Sequence, residues 1–312
     1  MKRIFSLLLI LLLTGCQPMD NTAEETQFLM DTVCTIRAGG SNAEAALRDA
    51  FAKVKEIQDA VNYYDESSTV SRFNRAETGE VVTLDTHTAN ILETALEICR
   101  ASEGAFDITI APVSSLWPFH GEEAPTPPTH AAIQEALPLV SWEHLIFDRS
   151  ASTLSKTVDG TAIDLGGAAK GYAADCAAKV LQEAGVTYAL LNFGGNVYAF
   201  GKNPNRRDGS WQVGIQKPFA DNGTYTRTVS LTQGAVVTSG TYQRNFTYEG
   251  RLYHHILDPK TGYPTEGDLA GVTIEADSAL LADCLSTACL VLGEEQGQRL
   301  AQQFGAAMYT ES

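Results

Sequence analysis

Apolar side chains recur along this chain with two periods, and the changes of period predict its elements. Ala45, Leu47, Ala50, Phe51, Val54, Ile57 and Val61 fall at helical spacing and predict an amphipathic helix over roughly 42–62. Ile91, Leu92, Ala95, Leu96 and Cys99 predict a second over about 88–102, with Gly104 placed to stop it. Thr129–Leu137 reads as a short third helix; two more run to about Ala184, closed by Gly185, and over about 277–292. Period-two segments predict strands at Phe28–Arg37, Ala189–Asn192, Trp211–Ile215, Tyr225–Leu231, Ala235–Thr238, Arg244–Tyr248, Arg251–Ile256 and Gly271–Glu275. Gly160–Ile163 is a further strand-like run, Glu249-Gly250 a hairpin turn, and Pro118–Pro128 a loop. The mixture, with hairpins in the second half, predicts an α+β class of mixed, largely antiparallel sheets packed with helices. No repeat or clean linker divides residues 28–312, which read as one domain.

The N-terminus reads as an address. Lys2 and Arg3 precede the apolar run Leu7–Leu13, too short for a permanent bilayer span. Leu13-Thr14-Gly15-Cys16 resembles a bacterial lipobox, so residues 1–15 are expected to be a signal peptide and Cys16 the lipidated first mature residue. Residues 16–27 then read as a polar tether, and the protein as exported and anchored at the outer face of the cytoplasmic membrane. Loss of Lys2 and Arg3 with the signal takes the formal net charge from −16 to −18. That acidity argues against nucleic acid and against a polybasic membrane contact. Beyond Cys16 there are five cysteines, an odd number with no C-x-x-C pair, and four of them sit in apolar helical patterns. They read as small buried hydrophobes, with neither a disulfide framework nor thiol catalysis.

Asp164-Leu-Gly166-Gly167-Ala-Ala-Lys170-Gly171-Tyr-Ala-Ala-Asp175 is the segment richest in candidate chemistry. A glycine pair at a strand-to-helix junction lets backbone approach a ligand, and helix N–H groups suit an anion. It matches neither the Rossmann nor the P-loop spacing. A phosphate cradle and a simple helix start with packing glycines both remain open.

Three other clusters carry the same double reading. Asp283, Ser286 and Thr287 share one face of the last helix, which suits a hard cation or an ordinary back-bonded helix face. His254 and His255 close a strand ahead of the tight loop Asp258–Pro264, and only one of them can face a given cleft. That one is either a general base or a satisfied surface histidine. Thr238–Arg244 offers hydroxyls and a guanidinium to an anion, or is a polar turn. Gly-x-Ser-x-Gly is missing and no Cys/His pairing offers itself, so acyl transfer has no support.

Taken in order, the segments resemble the ApbE family of FAD:protein FMN transferases. The matching stretches are Phe28–Thr32, Tyr64–Asn74, Gly104–Thr109, Pro112 with Leu116–Phe119, Asp164–Asp175, Asn192–Asn196, Thr238–Arg244, His254–Pro264 and Ala282–Thr287. The resemblance implies a single ApbE-like, T-fold-like domain that uses Mg2+ to transfer the FMN part of FAD to a Ser or Thr hydroxyl of an exported acceptor protein, releasing AMP. Carried over residue by residue, Met30, Tyr64, Ala105, Phe106, Asp107, Asp164, Lys170 and Leu257 would contact FAD. The Gly167 carbonyl, Asp283 and Thr287 would hold Mg2+, with Ser286 where some relatives place a further carboxylate, and His255 would help deprotonate the acceptor hydroxyl. Relatives usually continue into a further strand beyond the point reached by Met308–Ser312 here, so the sheet edge is expected to differ. A Mg2+-dependent FAD pyrophosphatase and a non-catalytic flavin-binding lipoprotein are the alternatives.

Overall fold

The computed structural model describes residues 22–119 and 124–312. The predicted signal peptide and Cys16 lie outside them. In chain order, β1 (Thr22–Leu29) and β2 (Thr32–Gly39) lead into α1 (Ala43–Val61), α2 (Thr69–Arg75), β3 (Val82–Thr83) and α3 (Thr86–Ala101). Next come α4 (Ala111–Ser114), α5 (His130–Ala136), β4 (Leu145–Asp148), β5 (Thr153–Lys156) and α6 (Ala169–Glu183). Strands β6 (Tyr188–Phe193), β7 (Asn196–Phe200), β8 (Trp211–Gln216), β9 (Tyr225–Leu231) and β10 (Gly234–Gly240) follow. The chain ends with β11 (Asn245–Tyr248), β12 (Arg251–His254), β13 (Gly271–Ala276), α7 (Ala279–Gln303) and β14 (Ala307–Glu311).

Seven strands form an antiparallel sheet in the order β1-β2-β6-β7-β10-β13-β14. Strand alternation gives the sheet two apolar faces. Ile36, Ala38, Ala189, Leu191, Phe193, Val237 and Ile274 point into the main core beneath α1, α3, α6 and α7. Tyr188, Ala199 and Val236 point the other way, where the β8–β9 hairpin covers them with Trp211, Val213, Ile215, Val229 and Leu231. The stripe on α1 is buried as its spacing predicts, with Leu47, Phe51, Val54 and Ile57 inside. A third cluster, around Val113, Trp117, Ile133, Phe246 and Leu257, seats the loop after β12, and the Trp117 indole donates to the Gly262 carbonyl at 3.1 Å.

Several boundaries differ from the sequence reading. The single strand expected at Phe28–Arg37 is a hairpin, turned by Met30 (φ 53°) and Asp31 (φ 57°). Its first arm takes in Thr22–Gln27, read as tether; an edge strand with half its side chains in water is polar enough to pass for a linker. Gly160–Ile163 forms only an isolated bridge, Ala162 against Ile110. The helix read over about 277–292 breaks as expected at Gly293 (φ 77°, ψ 178°), and a second helical stretch that the sequence reading did not assign runs on to Gln303. Residues 307–311, which the sequence reading left without an element, pair with β13 as the edge strand β14.

The second half of the Asp164–Asp175 segment joins α6 to α7. Asp175 accepts from the Ser278 hydroxyl (2.7 Å), Ala279 N (2.8 Å) and Leu280 N (3.0 Å), satisfying the open N-terminus of α7. A Cβ on Gly171 would lie 2.2 Å from the Ala279 carbonyl oxygen, so the two backbones are in contact there. Gly171→Ala is therefore expected to destabilise the protein by about 1–3 kcal/mol. Urea unfolding measures this, and an unchanged midpoint would contradict so close a helix contact.

Candidate active site

A cleft of about 1680 Å³ opens where the starts of the two docked helices meet the sheet. Its floor comes from α6 and α7. Asp164 Oδ1 accepts from Gly166 N at 2.8 Å, and Lys170 Nζ donates to the Gly166 carbonyl at 3.0 Å, bracing the glycine turn from both sides. A Cβ on Gly167 would crowd the Phe106 ring at 3.1 Å and reach Thr287 Oγ1 at 3.7 Å, so the backbone here runs close to that hydroxyl. Asp283 is buried one turn along α7 from the docking point. Its Oδ2 accepts from Gly171 N at 3.0 Å and lies 3.9 Å from Lys170 Nζ. Among the described residues, Oδ1 has no hydrogen-bond partner.

The walls come from distant parts of the chain. Met30 and Asp31 enter from the β1–β2 turn, held by a 2.6 Å hydrogen bond from Met30 N to Gln58 Oε1. Tyr64 stands at the mouth, edge-on to Tyr63 with ring centroids 5.2 Å apart. Ala105 and Phe106 line the cleft beside Asp107, but the Asp107 carboxylate serves its own loop. Its Oδ1 accepts from Thr109 N (2.8 Å) and Thr109 Oγ1 (2.6 Å), and Oδ2 accepts from Trp142 N (2.9 Å). Burial raises this carboxyl above its ordinary pKa, and those hydrogen bonds counteract part of the rise.

His254 and His255 separate as the pleat requires. His254 is buried and turned to the Thr265 carbonyl, 3.2 Å from Nε2. His255 lines the cleft beside Leu257, and its Nδ1–H donates to the Arg244 carbonyl at 3.2 Å. That bond assigns the tautomer, leaving the Nε2 lone pair to act as a base. Burial first, then the Arg244 and Lys170 charges, lowers the His255 pKa from its ordinary value of 6.5 to about 3. The ring is thus neutral at physiological pH.

A sequence model of the ApbE family matches residues 30–310. The chain belongs to the ApbE family. It is 30% identical to the FAD:protein FMN transferase of Vibrio cholerae over 299 residues, spanning 94% of this chain and 88% of that protein. It is 33% identical to an FAD:protein FMN transferase of Klebsiella pneumoniae over 259 residues, 82% and 78% of the two chains. The crystal structure of the ApbE protein of Thermotoga maritima superposes with a TM-score of 0.83 at 32% identity, over 93% of this chain and 94% of that one.

Of the residues assigned from sequence, this ApbE-family chain brings Met30, Tyr64, Ala105, Phe106, Asp107, Asp164, Gly167, Lys170, His255, Leu257, Asp283 and Thr287 to one cleft. Ser286 is the exception. It is fully buried, contacting Ser239 Oγ at 2.7 Å and donating to the Asp283 carbonyl at 2.9 Å, and it does not line the cleft. The helix turns its side chain under the floor, which removes it from the ligands expected for a cation. Arg244 is occupied too: its guanidinium pairs with Asp31 at 2.8 Å. Sequence reasoning missed Asp31, whose partner lies 213 residues away, and read Ser239 only as one hydroxyl of an anion site or polar turn, because its partners lie 47–48 residues away. The five described cysteines are free thiols; burial pushes Cys34 up to about 11 and Cys289 up to about 12.

An unfolded chain protonates a histidine near pH 6.5, while folded His255 refuses the proton until about pH 3. Its contribution to stability is therefore complete above 6.5 and is lost as pH falls toward 3. Imidazole NMR is expected to show His255 neutral from pH 8 to 5; a titration midpoint near 6.5 would contradict this environment.

Proposed function

We propose that this chain is a Mg2+-dependent flavin transferase, moving the FMN part of FAD to a Ser or Thr hydroxyl of an exported protein and releasing AMP. The observation that carries this reading is the convergence of Lys170, Asp283, Thr287, the Gly167 backbone and neutral His255 on one cleft. Its family relatives in Vibrio and Klebsiella, named for that transfer, support it.

The donor set fits a hard cation. It offers one carboxylate oxygen without a partner among the described residues, one hydroxyl and one backbone carbonyl, all oxygen. Among the described residues no group of three or more His, Cys, Asp or Glu side chains could hold a metal. Such a sparse site suits Mg2+, which takes one or two carboxylates and fills its shell with water and substrate phosphate. When bound there, Mg2+ supplies positive charge that neutralises the pyrophosphate.

The protein's own groups divide the remaining work. Lys170, held by the Gly166 carbonyl beside Asp283, adds a second positive charge where the pyrophosphate would lie. His255 Nε2 takes the acceptor hydroxyl proton as its oxygen attacks the FMN phosphorus. A new O–P bond forms, the bridging P–O bond breaks, and AMP leaves with the electron pair. Met30, Tyr64, Phe106 and Leu257 give apolar walls to the flavin and adenine rings. Asp107 contributes by bracing the loop that carries Phe106.

We further infer that Cys16 carries a lipid holding the domain at the outer face of the cytoplasmic membrane. The charge, apolar run and lipobox-like Leu13–Cys16 support it.

Asp283→Ala is expected to reduce flavinylation of an acceptor by several orders of magnitude, because charge stabilisation by a metal is worth several kcal/mol. In-gel flavin fluorescence measures it, and full transfer would disprove the metal assignment. AMP measured with FAD and Mg2+ distinguishes a transferase, which needs the acceptor, from a hydrolase that releases AMP alone. Cys16→Ser is expected to abolish incorporation of labelled palmitate and release the protein from membranes; persistent labelling would refute the anchor.

A further inference from the structure

Three hydroxyls and a carbonyl form one hydrogen-bonded row between β10 and α7. Ser286 Oγ donates to the Asp283 carbonyl at 2.9 Å. Ser239 Oγ lies 2.7 Å from Ser286 Oγ and 3.1 Å from Thr287 Oγ1. Each hydroxyl has one proton to give. A carbonyl only accepts, so the Ser286 proton is committed to Asp283. The 2.7 Å contact must then be held by the Ser239 proton, and the 3.1 Å contact by the Thr287 proton. This is the one polarity in which all three contacts are hydrogen bonds. Ser286 is fully buried, so the row is anchored beneath the floor, while Ser239 and Thr287 border the cleft.

Thr287 Oγ1 therefore keeps its lone pairs for the cleft and directs its proton away. We propose that Ser239 and Ser286 are positioning residues that make Thr287 a dedicated lone-pair donor toward a divalent cation. This rests on the cation reading above. Neither serine needs to touch the ion. Without Ser239, the Thr287 hydroxyl rotates freely and presents its proton to the cation for part of the time. Ser286 then has a new part: it orients Ser239, which orients Thr287. Outer partners of this kind typically change metal affinity 10–100-fold.

The test uses Mn2+ as an EPR-visible probe, titrated into the whole protein with FAD and without acceptor. Ser239→Ala and Ser286→Ala are each expected to weaken Mn2+ binding by about 10–100-fold. Metal-free FAD binding should stay as in the parent protein, although loss of a buried hydrogen bond lowers the unfolding midpoint modestly. Because the two serines act in one row, the double variant is expected to be no weaker than Ser239→Ala alone. Unchanged Mn2+ affinity in Ser239→Ala overturns the proposal. So does a loss that appears equally in metal-free FAD binding, which would mark a packing defect. Asp283→Asn and Thr287→Val separate the two levels. If both lose Mn2+ while Ser239→Ala keeps it, the relay alone fails. If both keep it, the cation reading fails and the relay with it.

Discussion

The candidate site depends on how α7 is seated. Asp175 accepts from the Ser278 hydroxyl and the first two N–H groups of α7, while the missing side chain at Gly171 lets the two helices touch backbone to backbone. Asp283 and Thr287 project from the seated helix about 6 and 12 Å beyond Ala279 at a 1.5 Å rise per residue. Lys170 projects from the helix that does the seating, and Gly167 sits in the turn just before it. One buried carboxylate thereby sets the spacing between both halves of the cleft floor. Burial raises its pKa, and the hydrogen bonds it accepts offset part of that cost.

The charges around the cleft serve two ends. Lys170 brings positive charge to the cleft floor, and both it and the Asp31-paired Arg244 help hold His255 unprotonated. A base in a site built for pyrophosphate would otherwise risk capture by the protons that accumulate near negative charge. Here its neutrality comes from the scaffold, with burial as the larger cause. The Arg244 backbone carbonyl also selects the tautomer, so one residue orients the ring and adds to the burial that keeps it neutral.

Elements with a buried stripe were legible in the sequence: the spacings on α1, α3 and α6 predict those helices to within a few residues. The exposed edge was not. Thr22–Gln27 alternates into solvent, and the turn at Met30-Asp31 carries no glycine to announce it. Most cleft residues were legible as short motifs because they lie close to a glycine, a histidine or a helix carboxylate, while Met30 and Tyr64 came through family resemblance alone. Ser286 failed because helical spacing indicates a shared face without fixing how far round that face the cleft extends. Asp107 was placed at the cleft, but the commitment of both its oxygens to Thr109 and Trp142 requires a fold to be seen. Asp175 belongs to the most conspicuous segment in the chain, yet its partners are more than 100 residues away.

The cleft is lined from Phe28 to Thr287, and β2 finds its sheet partner β6 only across some 150 residues of chain, with Cys34 opposite Phe193. Pairings this distant close late in folding, after the loop entropy between them has been overcome. No contiguous fragment short of nearly the full length holds the floor, the walls and the histidine together. A chain still being synthesised has no pocket in which to bind FAD. Completion of the last helix is thus the moment at which the polypeptide acquires its chemistry.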